Sequence, residues 1–459
     1  MKRIILYLIL IMNSLGTISQ EINNTTTLIG VWIGKLSFGA KELNIGLNIE
    51  QQEGYVVCTL DSPDQGVKGI GCHKNILTDE TIKISVPAIG ASYEAELEEG
   101  NLVGTFSQGD LSLPLTLKRG EYKPLRPQTP TEPFTYATEE VVFENEAEGS
   151  QLSGTLTYPI NYEEYKRGTV PVVLMISGSG AQNRDEELFD HRPFLVLADF
   201  FAKNGIASLR YDDRGVGKST GPTKNTTTKN NLADAEAGVA YLRSLKEFDK
   251  VGALGHSEGG TIAFMMGASK SVDFLISLAG SAANGADVII GQNRAAMQLQ
   301  GFPQEIIKNF ATALKIVYAD RIDGKEIADK AEYIETLCQT NNLALPDNLK
   351  SNLAKCITFG GNWLTWFLGY NPSKAISCIK CPVMALNGNL DLQVLSKDNL
   401  PVIEENLPRN KKHLIKEYDA LNHLFQHCTP TTALNYGTIE ETISEEVMND
   451  IVNWINTIK

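Results

Sequence analysis

Val251-Gly252-Ala253-Leu254-Gly255-His256-Ser257-Glu258-Gly259-Gly260 is a short apolar run that ends in a G-x-S-x-G turn and leads into Thr261-Ile262-Ala263-Phe264-Met265-Met266. The run reads as a buried strand, and the residues after the turn have helical character. Strand, tight turn and helix are the setting of a nucleophile elbow. A serine hydroxyl attacks well only from a sharp turn, where a histidine can reach it and nearby N–H groups can hold an oxyanion. Glycines on both sides let such a turn close without side-chain clashes. Ser257 is therefore the candidate nucleophile.

Outward from this turn, strands alternate with helices from about residue 136 to 459. The strand candidates are 139–143 and 153–158, an edge hairpin, then 170–176, 206–210, 251–254, 274–278, 383–386 and 414–418. Helical patterns near 193–203, 231–246, 260–268 and 443–457 separate or follow them. The expected architecture is an α/β, mostly parallel sheet with helices on both faces and its chemistry at the C-terminal strand ends. The interval between 274–278 and 383–386 is too long for a βα connection and helical in pattern, so a helical cap is expected at about 282–375. It carries Trp363-Leu364-Thr365-Trp366-Phe367-Leu368, which reads equally well as pocket lining or as the core of the cap.

A serine nucleophile needs a base, and the base needs an acid to orient it. On such a sheet the order is Ser, then Asp or Glu, then His. Of the six histidines, His413, His423 and His427 come after Ser257 and past the later strands. His413 opens a strand and reads as structural. His423 lies in the loop Asp419-Ala420-Leu421-Asn422-His423 just past the last strand, which makes it the candidate base, with His427 as the fallback. Asp391 follows Leu386-Asn387-Gly388 in the loop after a buried strand and is the candidate acid, with Asp398 and Asp419 as rivals. The oxyanion donors expected are the N–H of Glu258, whose side chain needs no role, and that of Ser179 in Ile176-Ser177-Gly178-Ser179-Gly180-Ala181-Gln182-Asn183-Arg184-Asp185-Glu186. Gly180 is the alternative donor, and Gly180, Arg184, Trp363 and Trp366 are the candidate substrate contacts. Tyr211-Asp212-Asp213-Arg214-Gly215-Val216-Gly217-Lys218-Ser219 lacks the first glycine of a phosphate loop, because position 212 is Asp212. Arg214 and an aspartate are expected to pair there instead.

The 459 residues are too many for one ordinary domain. Residues 25–120 alternate as β-strands do, with Leu43, Ile45, Leu47 and Ile49, then Ile82, Ile84 and Val86, then Leu111, Leu113, Leu115 and Leu117 on one face of each run. A small antiparallel barrel or sandwich is expected there. Residues 121–135, with Pro124, Pro127, Pro130 and Pro133, read as a stiff linker to the catalytic domain, 136–459. Met1-Lys2-Arg3 and the apolar residues 4–12 read as a signal peptide ending near residue 19, too short for a bilayer span. A periplasmic or extracellular location and no membrane span in the mature chain are therefore expected. A net charge of -14 argues against nucleic acid, whose phosphates need a basic footprint. Seven cysteines are an odd number; Cys58 and Cys72 are near enough in sequence to form a disulfide, and Cys378-Ile379-Lys380-Cys381 reads as structural rather than zinc-binding.

Taken in order, G-S-G-x-x-x-R-D-E, Y-D-D-R-G-x-G-x-S, G-H-S-E-G, L-N-G-x-x-D and N-H-L-F-Q make residues 136–459 resemble the exported α/β-hydrolases grouped with serine aminopeptidase-like and acyl esterase hydrolases, including thermophilic esterases with an extra N-terminal domain. The N-terminal segment around Asp61-Ser62-Pro63-Asp64-Gln65-Gly66 resembles a module that precedes such hydrolases. The resemblance implies Ser257 as nucleophile, Asp391 as acid and His423 as base, with no metal or organic cofactor. Ser177 stands where many relatives carry His, a change expected to alter local packing more than mechanism. The leading expectation is a serine esterase acting on a small-molecule ester. The alternatives are a serine peptidase on short peptides, which would need a carboxylate cluster to hold the peptide amine, and more remotely a non-catalytic binding protein on a hydrolase scaffold. The acyl and alcohol groups and the oligomeric state are not legible in the sequence.

Overall fold

The structure is a computed structural model of the chain, and it describes residues 27–458 apart from 39–40, 53–54, 66, 110 and 121–124. The expected signal peptide and the first part of the linker lie outside the described residues. Of the described residues, those up to Arg126, with Leu188–Asp190 and Asn435–Glu440, make one compact unit, and the others make a second.

Among the described residues the first unit has nine strands: β1 (Gly30–Phe38), β2 (Lys41–Gln52), β3 (Tyr55–Ser62), β4 (Val67–Gly71), β5 (His73–Leu77), β6 (Thr81–Val86), β7 (Ala91–Glu98), β8 (Asn101–Gln108) and β9 (Leu111–Arg119). They form a single sheet in the order β4-β3-β2-β1-β9-β8-β7-β6-β5. Its two edge strands, β4 and β5, are joined only through Cys72, so the sheet curls almost to closure as a barrel rather than stacking as a sandwich. The period-2 pattern puts Ile82, Ile84 and Val86 inside, facing Trp32, Leu47, Tyr93 and Leu117. Polar atoms in this core are satisfied: Trp32 Nε1 donates to the Leu28 carbonyl at 2.8 Å, and the Tyr93 hydroxyl donates to the carbonyls of Leu102 and Leu115 at 3.0 and 3.1 Å. Cys58 and Cys72 are free thiols, pushed up to about 11 and about 12 by burial, and they do not form the disulfide their proximity in sequence allowed. Cys378 and Cys381 are free as well.

The second unit contains β10 (Thr138–Asn145), β11 (Ser150–Thr157), β12 (Val172–Ile176), α1 (Pro193–Lys203), β13 (Ala207–Tyr211), α2 (Thr228–Leu245), β14 (Val251–His256), α3 (Glu258–Ser269) and β15 (Phe274–Leu278). Helices α4 (Gly285–Leu299), α5 (Gln304–Ile322), α6 (Lys330–Thr340), α7 (Asp347–Cys356), α8 (Gly361–Gly369) and α9 (Ser373–Ile376) follow. The chain ends with β16 (Val383–Gly388), α10 (Ser396–Asn406), β17 (Leu414–Tyr418) and α11 (Glu445–Ile458). The eight strands run β10-β11-β13-β12-β14-β15-β16-β17. β10, β11 and β13 pair antiparallel, and every pair from β13–β12 onward is parallel. This is the α/β-hydrolase fold.

Its strands are buried on both faces, so alternate residues of one strand feed different cores. Val172, Leu174 and Ile176 of β12 join Val239 of α2, Ile262 of α3 and Ile403 of α10. Val173 and Met175 join Phe201 of α1 and Val447, Ile451 and Trp454 of α11. Helices α4 to α9 fill the long interval before β16, and α4 to α8 have a core of their own around Phe310, Leu314, Val317, Leu353, Phe367 and Leu368. No helix among the described residues is long and apolar enough to cross a membrane.

Candidate active site

Ser257 stands at the C-terminal end of β14, in the middle of the sheet, where one turn separates the strand from α3. Its φ of 53° and ψ of -117° put a non-glycine residue in a strained region, which persists only where surroundings enforce it. Here close packing does so. A Cβ on Gly255 would lie 1.9 Å from the Gly259 carbonyl oxygen, and one on Gly259 would lie 2.1 Å from that of Ile176. Glycine at both positions lets the turn press against β12. Ser257 is half-buried while residues 251–256 and 258–260 are all buried, so the turn lifts one hydroxyl out of a closed core.

Two loops meet beside it. After β16, Asp391 is 1% exposed, and its Oδ1 accepts the backbone N–H groups of Gln393 and Val394 at 2.7 and 2.9 Å. That leaves Oδ2 for His423 Nδ1, 2.8 Å away. After β17, Asn422 Oδ1 accepts from the N–H groups of Leu424 and Gln426 at 3.0 and 3.1 Å and so fixes the loop that presents His423. A Cβ on Gly388 would lie 2.1 Å from the Leu421 carbonyl oxygen, which explains the glycine in L-N-G-x-x-D: the two loops touch there.

The other candidates for base and acid are engaged elsewhere. His413 Nδ1 accepts from the Val383 N–H at 3.0 Å and its Nε2 faces the Pro408 carbonyl at 2.8 Å; burial lowers its pKa, and it is a neutral structural ring. His427 is paired with Glu441 at 2.8 Å on the surface. Asp419 accepts from Asn389 Nδ2 at 2.9 Å, and Asp398 sits in the first turn of α10.

The loop after β12 reaches the nucleophile. A Cβ on Gly178 would lie 3.2 Å from Ser257 Cβ, so this backbone is within contact of the turn. Gly178 N–H is committed to Glu186 Oε1 at 2.6 Å, whereas Ser179 and Gly180 are exposed. Glu258 is the first residue of α3, where a backbone N–H has no acceptor within the helix. The segment after β13 packs under this loop: Asp213 Oδ1 accepts from Ser177 Oγ at 3.0 Å, and Oδ2 accepts from Gln182 N–H at 2.9 Å. Burial pushes Asp213 up to about 7 against those hydrogen bonds, and the charges of Glu186 and Glu258 add to the effect. Arg214 closes a buried pair with Asp234, its Nε 2.7 Å from Oδ2 and its NH2 2.8 Å from Oδ1.

The side chains of Arg184 and Glu258 are both held in hydrogen-bond networks. Arg184, expected as a substrate contact, is engaged within the protein: its guanidinium reaches Asp212 at 2.7 and 3.2 Å, both Glu140 oxygens at 2.9 Å, Thr155 at 2.6 Å and Ser153 at 3.0 Å. Burial pulls the other way, yet Arg184 holds Asp212 below the usual carboxylate range. The Glu258 side chain, which needed no role, has one. Trp363 Nε1 donates to both its oxygens at 2.9 Å and Thr228 Oγ1 donates to Oε1 at 2.5 Å, while burial raises its pKa despite them. Trp363 thus binds α8 to the nucleophile turn and stacks on Phe367 at 5.8 Å; Trp366 stacks on Tyr370 at 4.7 Å against the cap core. A further pair, Glu186 with His256, is not legible in the sequence although both residues sit in its motifs. Its ring and carboxylate are 2.9 Å apart and buried beside Ser257.

Comparison with known proteins supplies the context for this geometry. The family described as X-Pro dipeptidyl-peptidase (S15 family) matches residues 148–421. The curated esterase EstD of Thermotoga maritima is 24% identical over 364 residues, covering 77% of this chain and 79% of that protein. Among solved structures, an esterase of Pyrococcus furiosus is 16% identical with a TM-score of 0.43, over 74% of this chain and 99% of that one. A hypothetical protein of Pseudomonas aeruginosa is 15% identical with a TM-score of 0.44, over 74% and 99%.

Proposed function

The chain belongs to the X-Pro dipeptidyl-peptidase (S15) family and is a serine hydrolase, and on that premise we propose that it cleaves carboxylic esters through an acyl-enzyme on Ser257. The observation that carries this reading is the Asp391–His423 hydrogen bond of 2.8 Å in loops that close beside the strained turn of Ser257. With Nδ1 bound to Asp391, the His423 tautomer that leaves Nε2 free as a base is fixed. His423 then takes the Ser257 proton as Oγ forms its bond to the ester carbonyl carbon. Collapse of the tetrahedral intermediate breaks the bond to the alkoxy group, which leaves with that proton. Water, deprotonated by the same histidine, attacks the acyl carbon, and the carboxylic acid departs as Ser257 Oγ recovers its proton. The oxyanion falls to the N–H of Glu258 and that of Ser179 or Gly180, since Gly178 N–H is already bound.

Esters are favoured as substrates by the relationship to EstD. Peptides remain the second reading because the family takes its description from a peptidase. Hydrolysis of a p-nitrophenyl ester series beside aminoacyl and dipeptidyl-proline p-nitroanilides, with Ser257→Ala as control, separates them. Ester cleavage abolished by the substitution, with anilides untouched, is the expected result. Dominant anilide cleavage would move the chain to the peptidases, and activity surviving in Ser257→Ala would remove Ser257 as nucleophile. Export is part of the same proposal, supported by the basic and apolar start of the sequence; N-terminal sequencing of the cell-envelope fraction should find the mature chain starting near Gln20.

A further inference from the structure

Glu186 and His256 belong to neither the proposed triad nor the oxyanion donors, yet they touch the loops that carry both. His256 ends β14 at 5% exposure, and Glu186 is 1% exposed in the loop after β12. Glu186 Oε1 accepts from Gly178 N–H at 2.6 Å and faces His256 Nδ1 at 2.9 Å. His256 Nε2 lies 3.0 Å from the backbone carbonyl oxygen of His423. A backbone carbonyl has no proton to give, so Nε2 carries one. An ionised carboxylate only accepts, so Nδ1 carries one too. A ring that donates from both nitrogens is an imidazolium. Burial opposes that charge, but the Glu186 carboxylate, through charge and hydrogen bond, outweighs it and holds His256 above the ordinary histidine range, with the His423 carbonyl and the Asp391 charge acting in the same direction. The His423 ring is a further titratable neighbour, its centroid 4.7 Å away, and Asp213 interacts with the same Glu186 carboxylate.

Resting on the triad reading above, we propose that His256 is a charged positioning residue that donates from both ring nitrogens. Paired with Glu186, it ties the backbone of the oxyanion loop at Gly178 and the backbone of His423 to the residue that precedes Ser257. Three loops from three strands are thereby referenced to one ring, and nucleophile, base and oxyanion donors keep their spacing without either residue touching substrate. Neutral hydrogen bonds at the same places would hold the loops less firmly, because charge-assisted ones are roughly twice as strong.

The test uses the full chain labelled with 15N-histidine and examined by long-range proton–nitrogen correlation at pH 8. The signals of His256 are assigned by their loss in His256→Gln or, should that variant not fold, by their shift in Glu186→Gln. Both ring nitrogens are expected to be protonated in the wild type, with one proton lost in Glu186→Gln. Ester kinetics are expected to show kcat lowered about 10- to 100-fold in both variants, with KM within about twofold, since small misplacements of reacting groups cost that much. A neutral His256 in the wild type would overturn the charge, and unchanged kcat in both variants would overturn the positioning role. Equal damage to KM and kcat together with a lowered melting temperature would reduce the pair to plain structure. A fluorophosphonate adduct on Ser257, read by mass in the wild type, checks the triad separately: without it the triad reading and the positioning role fall together, whatever the spectrum shows.

Discussion

Trp363, on the cap helix α8, donates its indole N–H to both carboxylate oxygens of Glu258, the residue whose backbone N–H begins α3 beside Ser257. The cap is therefore fastened to the nucleophile turn by a polar contact, and the carboxylate it fastens to is 3% exposed. A buried carboxylate that loses a donor bears its desolvation cost less well compensated.

Trp363→Phe keeps the ring stacked near Phe367 and removes only the N–H. Stability is expected to fall by about 1–3 kcal/mol in urea unfolding, with Thr228 as the remaining side-chain donor to Glu258. If Trp363→Phe unfolds at the wild-type urea midpoint with an unchanged slope, the contact is not fastening the cap.

Asp391→Asn should leave the loop intact and stop the chemistry. Oδ1 must go on accepting from Gln393 and Val394 N–H, so the new amide nitrogen is forced to face His423 Nδ1. Two donors cannot share that contact, and the ring adopts the tautomer with its proton on Nε2, which is useless as a base. A fall in kcat of about 10³- to 10⁴-fold is expected, with KM little changed and the unfolding midpoint near that of the wild type. A kcat reduced less than tenfold would argue for a different acid.

Arg184 is placed in the same terms. Its loss strands Asp212, 4% exposed, among β11 and β13, and removing one partner of a buried pair costs about 3–5 kcal/mol. Arg184→Ala is therefore expected to unfold at much lower urea, while KM for esters in the folded fraction stays close to wild type. A raised KM without loss of stability would restore a substrate role to this residue.

The sequence disclosed what is local and what is ordered along the chain. G-H-S-E-G needs only its own glycines to make a turn, β17 coincides with the strand expected at 414–418, and Asp391 and His423 are each found just past a strand in the order this sheet uses. It disclosed little of what is paired at a distance. Glu186 and His256 are separated by 70 positions and Glu258 and Trp363 by 105, and no periodicity links a residue to a partner on another element. Arg184 sits where an oxyanion loop invites a substrate reading, because the sequence does not show that the loop curls back over β11 and β13. Helix α10 is silent in the sequence for a different reason: its core-facing residues are Ser396, Asn399 and Ile403, and it contains Pro401, so its apolar signal is almost absent. Asn399 is buried there because its Oδ1 accepts from Ala282 and Ala283 N–H at 2.9 and 3.0 Å.

Asp213 gives the chain a pH-dependent stability with a definite sign. Its pKa is about 7 folded against an ordinary 3.8, so it is a raised carboxyl. The folded state binds its proton more tightly than the unfolded state, and the resulting stabilisation is complete below about 3.8 and disappears as pH rises through about 7. Asp213→Asn keeps an oxygen for Gln182 N–H and a partner for Ser177 without any charge to bury. The variant should accordingly gain on the wild type as pH rises from about 4 to about 7, reaching a plateau on the order of 2 kcal/mol, less than the full shift because the side chain keeps a solvated edge. Urea unfolding of both proteins from pH 4.5 to 8 measures the difference directly. A difference that stays flat across that range would mean that Asp213 is ionised throughout and that Ser177 and Gln182 outweigh its burial.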